Sequence, residues 1–144
     1  MEKFENYLGE LPLTKVIKER IKDVLDMNLK IKNFEIKDIF VCELKNKEGA
    51  RTYTSLWLFT DNYFIECKEF INKFDFDVTP YTNEIIYCSI APVNFDFENA
   101  NELSILKADC ALGNNLTCNF IATGQNCLSL FTLYKKYIIP NMIK

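Results

Sequence analysis

Histidine is missing altogether from these 144 residues. Its absence removes Ser-His-Asp and Cys-His machinery, His-ligated metals and imidazole acid–base work. Carboxylate, Lys, Tyr and Cys chemistry stays open. Arginine is nearly missing as well, with Arg20 and Arg51 the only two. That scarcity argues against an Arg-rich phosphate or nucleic-acid site. Charge of one sign is not concentrated anywhere. The net charge is −3 with acids and bases interspersed, so no steering field for nucleic acid or an anionic membrane is expected. No apolar run approaches transmembrane length. The opening Met1-Glu-Lys-Phe-Glu has no apolar run behind it, so no signal peptide is expected.

Six cysteines are present, at 42, 67, 88, 110, 118 and 127, and no two have CxxC spacing. A zinc or thioredoxin-type reading therefore has little support, and small buried hydrophobes fit better. With no leader expected, a reduced cytoplasmic setting is expected too. Neither a metal nor a cofactor is implied. Lys, Ile, Asn and Phe are abundant, which reads as coding bias of an AT-rich, bacterial kind of genome. Apolar residues make up 49% of the chain, enough for a packed core and against disorder.

The chain reads as one domain, 1–144, with a helical segment over 1–32 and a β-rich body over 33–144. Phe4, Tyr7 and Leu8 fall on one side of a first turn, and Pro12 interrupts it. Thr14 is a fair N-cap for a helix that ends near Asn28. Val16, Ile17, Ile21, Val24 and Leu25 form its apolar stripe. Such a helix can enter a partner's groove or dock on its own sheet, and the second is favoured.

From Asn33 the period changes to two. Strands are expected at 39–44, 53–60, 63–67, 74–78, 85–91, 103–108 and 116–123. Asn46 to Gly49 reads as a turn, and Asp61-Asn62 as a two-residue hairpin in left-handed conformation. Pro80 and Asn83 end the fourth strand, and Leu116, Cys118, Phe120 and Ala122 share a face of the seventh. Gly124-Gln125-Asn126 opens a closing helix whose stripe is Cys127, Leu130, Phe131, Tyr134 and Ile138; Pro140 stops it. No repeat, linker or low-complexity tract marks a boundary. The class is α+β, mainly antiparallel β.

Leu56-Trp57-Leu58-Phe59-Thr60-Asp61-Asn62-Tyr63-Phe64-Ile65 resembles the second-to-third strand hairpin of the pleckstrin-homology-like (PH-like) superfold, including its GRAM and bacterial branches. The order of elements over 36–139 is similar to that family's seven strands and capping helix. The resemblance implies a seven-stranded barrel or roll, with the N-terminal helix as an addition. Trp57 sits in a strand, whereas the family carries a Trp in its last helix. An NTF2-like roll, with leading helices packed on a curved sheet around a pocket, has the same elements and stays open.

Several groups are candidates for function. In PH-like domains basic residues around the first hairpin bind lipid head groups, so the resemblance points to Lys45, Lys47 and Arg51 as ligand-binding residues. Asp75 with Asp77, and Asp96 with Glu98, are i, i+2 carboxylate pairs that could hold a cation or act as acid and base. Cys127 opens the last helix, where a dipole can lower a thiol pKa. Tyr134, Tyr137, Ile138 and Met142 crowd the C-terminus with Ile139 and Ile143. Those that find no room in the core would mark a partner-binding surface. The expected role is a non-catalytic interaction module that binds a protein partner or self-associates. The alternatives are an NTF2-like pocket for a small apolar molecule, and peripheral binding of phosphoinositide or anionic lipid. An enzyme is the less favoured reading, and nucleic acid is not an expected partner.

Overall fold

A computed structural model describes residues 14–27, 31, 33–45, 51–71, 77–96 and 98–142. Helix α1 spans Lys15–Met27. Thr14 caps it: the Ile17 N–H donates to Thr14 Oγ1 at 3.4 Å, satisfying one of the free first-turn donors. Ile17, Ile21, Val24 and Leu25 are buried, but Val16 is 73% exposed. One residue step turns a helix by about 100°, so Val16 lies off the stripe that Ile17 begins. The turn expected at Phe4 to Leu8 lies outside the described residues.

Seven strands follow: β1 (Asp38–Lys45), β2 (Arg51–Phe59), β3 (Tyr63–Lys68), β4 (Asp77–Thr82), β5 (Ile85–Val93), β6 (Ile105–Leu112) and β7 (Thr117–Thr123). They form two antiparallel meanders, β1-β2-β3-β4 and β5-β6-β7. Neither sheet closes on itself. The closing helix α2 runs Asn126–Leu133, continues as a π turn over Tyr134–Ile138 and ends in a 3-10 turn, Ile139–Asn141. Pro140 stands inside that 3-10 turn, where a missing N–H is tolerated. Gly124 takes φ +60 to redirect the chain from β7 into α2.

The four-stranded sheet is buried on both faces, because its strands alternate in step. Ile39, Val41, Leu56, Leu58, Ile65 and Cys67 pack with Phe70 under α1. Phe40, Cys42, Trp57, Phe59 and Phe64 face the other way, onto β6, β7 and α2. The N-terminal helix therefore docks on its own sheet. Phe120 of β7 joins the two sheets. Its ring meets Trp57 at 4.6 Å, Phe59 at 6.0 Å, Phe40 at 6.4 Å and Phe64 at 6.5 Å. Edge-to-face and offset ring contacts at these spacings add to simple burial.

Four local expectations change. Neither Asp61 nor Asn62 takes positive φ. The turn is held by Thr60 instead, whose hydroxyl accepts from the N–H groups of Asn62 at 3.2 Å and Tyr63 at 2.9 Å. Pro80 lies within β4 rather than after it. It pairs with Ile65 on one side only, and an edge strand tolerates proline on its free side. Residues 74–76, where that strand was expected to begin, lie outside the described residues. β6 starts at Ile105, since Leu103 is in a turn: its N–H donates to Asn101 Oδ1 at 2.8 Å, and its side chain is exposed. Leu116 is likewise exposed and precedes β7.

Candidate functional site

Two open sheets have four edges, and an edge strand presents unpaired N–H and C=O groups. Three of the four are guarded. β1 and β7 lie against each other. At that seam Asn126 Nδ2 donates to the Val41 carbonyl at 2.8 Å, and the Cys42 thiol approaches the Asn119 carbonyl at 3.8 Å. Thr123 Oγ1 donates to buried Glu43 Oε1 there at 3.4 Å. β4 is interrupted by Pro80 in the middle of its six residues. Among the described residues no strand pairs with the outer side of the fourth edge, β5, which is the longest open one.

β5 reads Ile85-Ile-Tyr-Cys-Ser-Ile-Ala-Pro-Val93, nine residues without a charge. A bulge between Ile85 and Tyr87 protects one end, and Pro92 the other. At the protected start, Met142 bridges to Ile85. Between these points, Tyr87 to Ala91 carries none of the usual guards. The direction of its backbone groups follows from the ladder. Gly124 N donates to Ser104 O, and Leu112 N donates to Leu116 O, so even-numbered residues of β6 bond toward β7. Hydrogen-bonding sides alternate along a strand, so odd-numbered β6 residues bond toward β5. Their partners are Tyr87, Ser89, Ala91 and Val93. Cys88 and Ile90 are left with N–H and C=O directed outward, and Pro92 with its C=O alone. Ile86 (58% exposed), Tyr87 (62%) and Val93 (52%) flank that edge with apolar surface, joined by Ile139 and Met142.

The residues singled out from sequence fall elsewhere. Lys47 lies outside the described residues, as do the side chains of Lys45 and Arg51. The backbones of Lys45 and Arg51 pair with each other at the open end of the first hairpin. Tyr134, Tyr137 and Ile138 are buried in the core, so only Met142 of that group is exposed. Tyr137 stacks on Phe59 at 5.1 Å and donates its hydroxyl to Asp38 Oδ2. Lys136 pairs with the same oxygen at 2.8 Å. Tyr134 donates to Cys88 Sγ at 3.2 Å, and burial pushes its hydroxyl pKa well above the usual value. The C-terminal tail thus folds back, and its surface remainder is Ile139 and Met142.

Neither carboxylate pair nor Cys127 gains support as a reactive group. Asp75 lies outside the described residues, and Asp77 is exposed on the β4 edge. Asp96 Oδ1 accepts the Glu98 N–H at 3.2 Å, which makes the pair a solvated turn. No group of three potential metal ligands converges among the described residues. Cys127 is buried, its thiol donates to the Ala122 carbonyl at 3.5 Å, and burial pushes its pKa up to about 11. That is opposite to the shift a nucleophile needs.

Sequence reading overlooked β5 as a surface. The available signal was nine residues without a charge and a proline near the end. No helix among the described residues is long and apolar enough to cross a membrane. Compared with known proteins, the chain matches no family model, no curated protein and no solved structure.

Proposed function

We propose that this protein is a non-catalytic interaction module of PH-like type, which takes an extended strand of a partner protein or of a second copy along the free edge of β5. The observation that carries this reading is the edge itself: outward backbone groups at Cys88 and Ile90, no charge over nine residues, and apolar side chains alongside. Strand addition uses main-chain hydrogen bonds for affinity and flanking side chains for specificity. Meanders of four and three strands followed by a C-terminal helix support the PH-like assignment. Fold alone does not carry function, so the edge is the better evidence.

The test is sedimentation velocity over a concentration series, with a pull-down from cells of the source. Both are run on the wild type and on a Tyr87→Lys/Ala91→Lys variant. Both substitutions are at exposed positions, so the fold is expected to survive. Lysines on an edge oppose strand pairing. The expected result is self-association or a reproducible partner in the wild type, weakened at least tenfold in the variant. A monomeric wild type with no partner, or a variant that binds equally well, overturns the proposal.

A further inference from the structure

Three cysteines stand in one row across the smaller sheet. Cys88 of β5 is the register partner of Cys110 in β6, and Cys110 is the register partner of Cys118 in β7. All three side chains belong to the inner face, in or against the core. The two pairs are not equivalent. Even-numbered β6 residues bond toward β7, so Cys110–Cys118 is a hydrogen-bonded pair, with Cα atoms about 5.5 Å apart in such a ladder. Cys88–Cys110 is then a non-hydrogen-bonded pair. Pro92 opposite Leu106, four pairs along in an unbroken register and so of the same kind, is consistent with that, since proline has no N–H to exchange. In a non-hydrogen-bonded pair the Cα atoms approach to about 4.5 Å and the side chains come closer still. That spacing lies within the roughly 4.4–6.8 Å span that disulfides use. Access separates the pairs too. Cys110 and Cys118 are both 1% exposed, whereas Cys88 is half-buried beside the open edge.

We propose that Cys88 and Cys110 are a disulfide-forming pair, with Cys88 oxidised first by a hydroperoxide and Cys110 resolving the product. In the first step Cys88 Sγ attacks the peroxide. An S–O bond forms, the O–O bond breaks, and the displaced oxygen leaves as alcohol or water with the thiol proton. Cys88 loses two electrons to the peroxide and becomes a sulfenic acid. In the second step Cys110 Sγ attacks Cys88 Sγ. The S–S bond forms, the S–O bond breaks, and hydroxide leaves as water with the Cys110 proton. The sum is two thiols and one hydroperoxide to one disulfide, one alcohol or water, and one further water. Oxidation also consumes the Cys88 thiol hydrogen, which the thiol now donates to Met142 Sδ, with Sγ and Sδ 3.2 Å apart. A thiol reductant reverses the reaction by exchange. Strand docking on β5 is not required for any of this.

The experiment treats the reduced, folded full chain with excess hydrogen peroxide, then denatures and alkylates it and maps linked peptides by mass spectrometry. Free thiols are expected to fall from six to four, with the peptides holding Cys88 and Cys110 joined. The second step is expected to accelerate about tenfold per pH unit between about pH 7 and 9, because Cys110 must ionise against its burial to attack. Cys118→Ser is expected to leave the bond in place, and Cys110→Ser to leave a dimedone-reactive sulfenic acid at Cys88. A Cys110–Cys118 bond, six intact thiols, or sulfinic acid at Cys88 with Cys110 still free in the wild-type chain overturns the proposal, whatever the variants do.

Discussion

Replacing Phe120 by Ala tests what holds the two sheets together. The described ladders stop at the sheet boundaries, so the join rests on side-chain packing together with the few side-chain hydrogen bonds of the β1–β7 seam. Phe120 contributes the ring that meets Phe40, Trp57, Phe59 and Phe64, all from the larger sheet. It is 1% exposed. Truncating a buried Phe to Ala costs about 3–5 kcal/mol in lost transfer energy and cavity. Ring pairs add about 0.5–1.5 kcal/mol each beyond burial, though some of that is already inside the first figure. A loss of about 4–5 kcal/mol follows, against a total stability of about 5–15 kcal/mol for a protein of ordinary size. Phe120→Leu keeps most of the volume and is expected to cost only about 1–2 kcal/mol. Urea denaturation followed by tryptophan fluorescence reads both. Trp57 is the only tryptophan and lies against Phe120 in the core between the sheets, so its emission follows the unfolding of this core. A loss below about 2 kcal/mol for Phe120→Ala, or equal losses for the two variants, would refute the idea that Phe120 joins the sheets.

Two further predictions concern the core. Tyr137→Phe removes the hydroxyl that donates to buried Asp38 while keeping the ring on Phe59. Hydrogen bonds to charged groups contribute about 1.5–3 kcal/mol, so a loss in that range is expected by thermal or urea denaturation. Lys136→Ala, at a lysine 59% exposed, is expected to cost under about 1 kcal/mol; equal effects of the two changes would contradict the assignment. Alkaline pH tests the thiols. Burial pushes Cys42, Cys67 and Cys118 from near 9.0 up to about 12. The unfolded chain therefore releases these protons at lower pH than the folded one. Their contribution is full below about pH 9 and is lost as pH rises toward 12, by up to about 1.4 kcal/mol per pH unit for each thiol. A urea midpoint that stays level between about pH 8 and 10 would show that these thiols are not buried as described.

Much of the architecture is legible in the residues because alternation is local. Phe40 and Cys42 against Ile39 and Val41, or Cys118, Phe120 and Ala122 within β7, record which way each side chain points. The helix stripe of Ile17, Ile21, Val24 and Leu25 records one face in the same way, and Thr14 marks its start. The element order, seven strands between two helices, follows from these signals together.

Other features were decided only when the chain folded, because they depend on residues far apart in sequence. Pro80 reads as a breaker, yet it sits in a strand because its free side has no neighbour to bond. Tyr134, Tyr137 and Ile138 read as surplus apolar residues, yet the π turn brings them into the core over Phe59 and Cys88. The hairpin at Asp61-Asn62 looks like a left-handed turn until the Thr60 hydroxyl binds its N–H groups. The openness of β5 and the pairing of Cys88 with Cys110 have no counterpart in local pattern, since an edge is defined by the strand that is not beside it. Composition and periodicity set which residues are apolar and how they alternate; the register between strands decides which of them meet, and which remain free for another molecule.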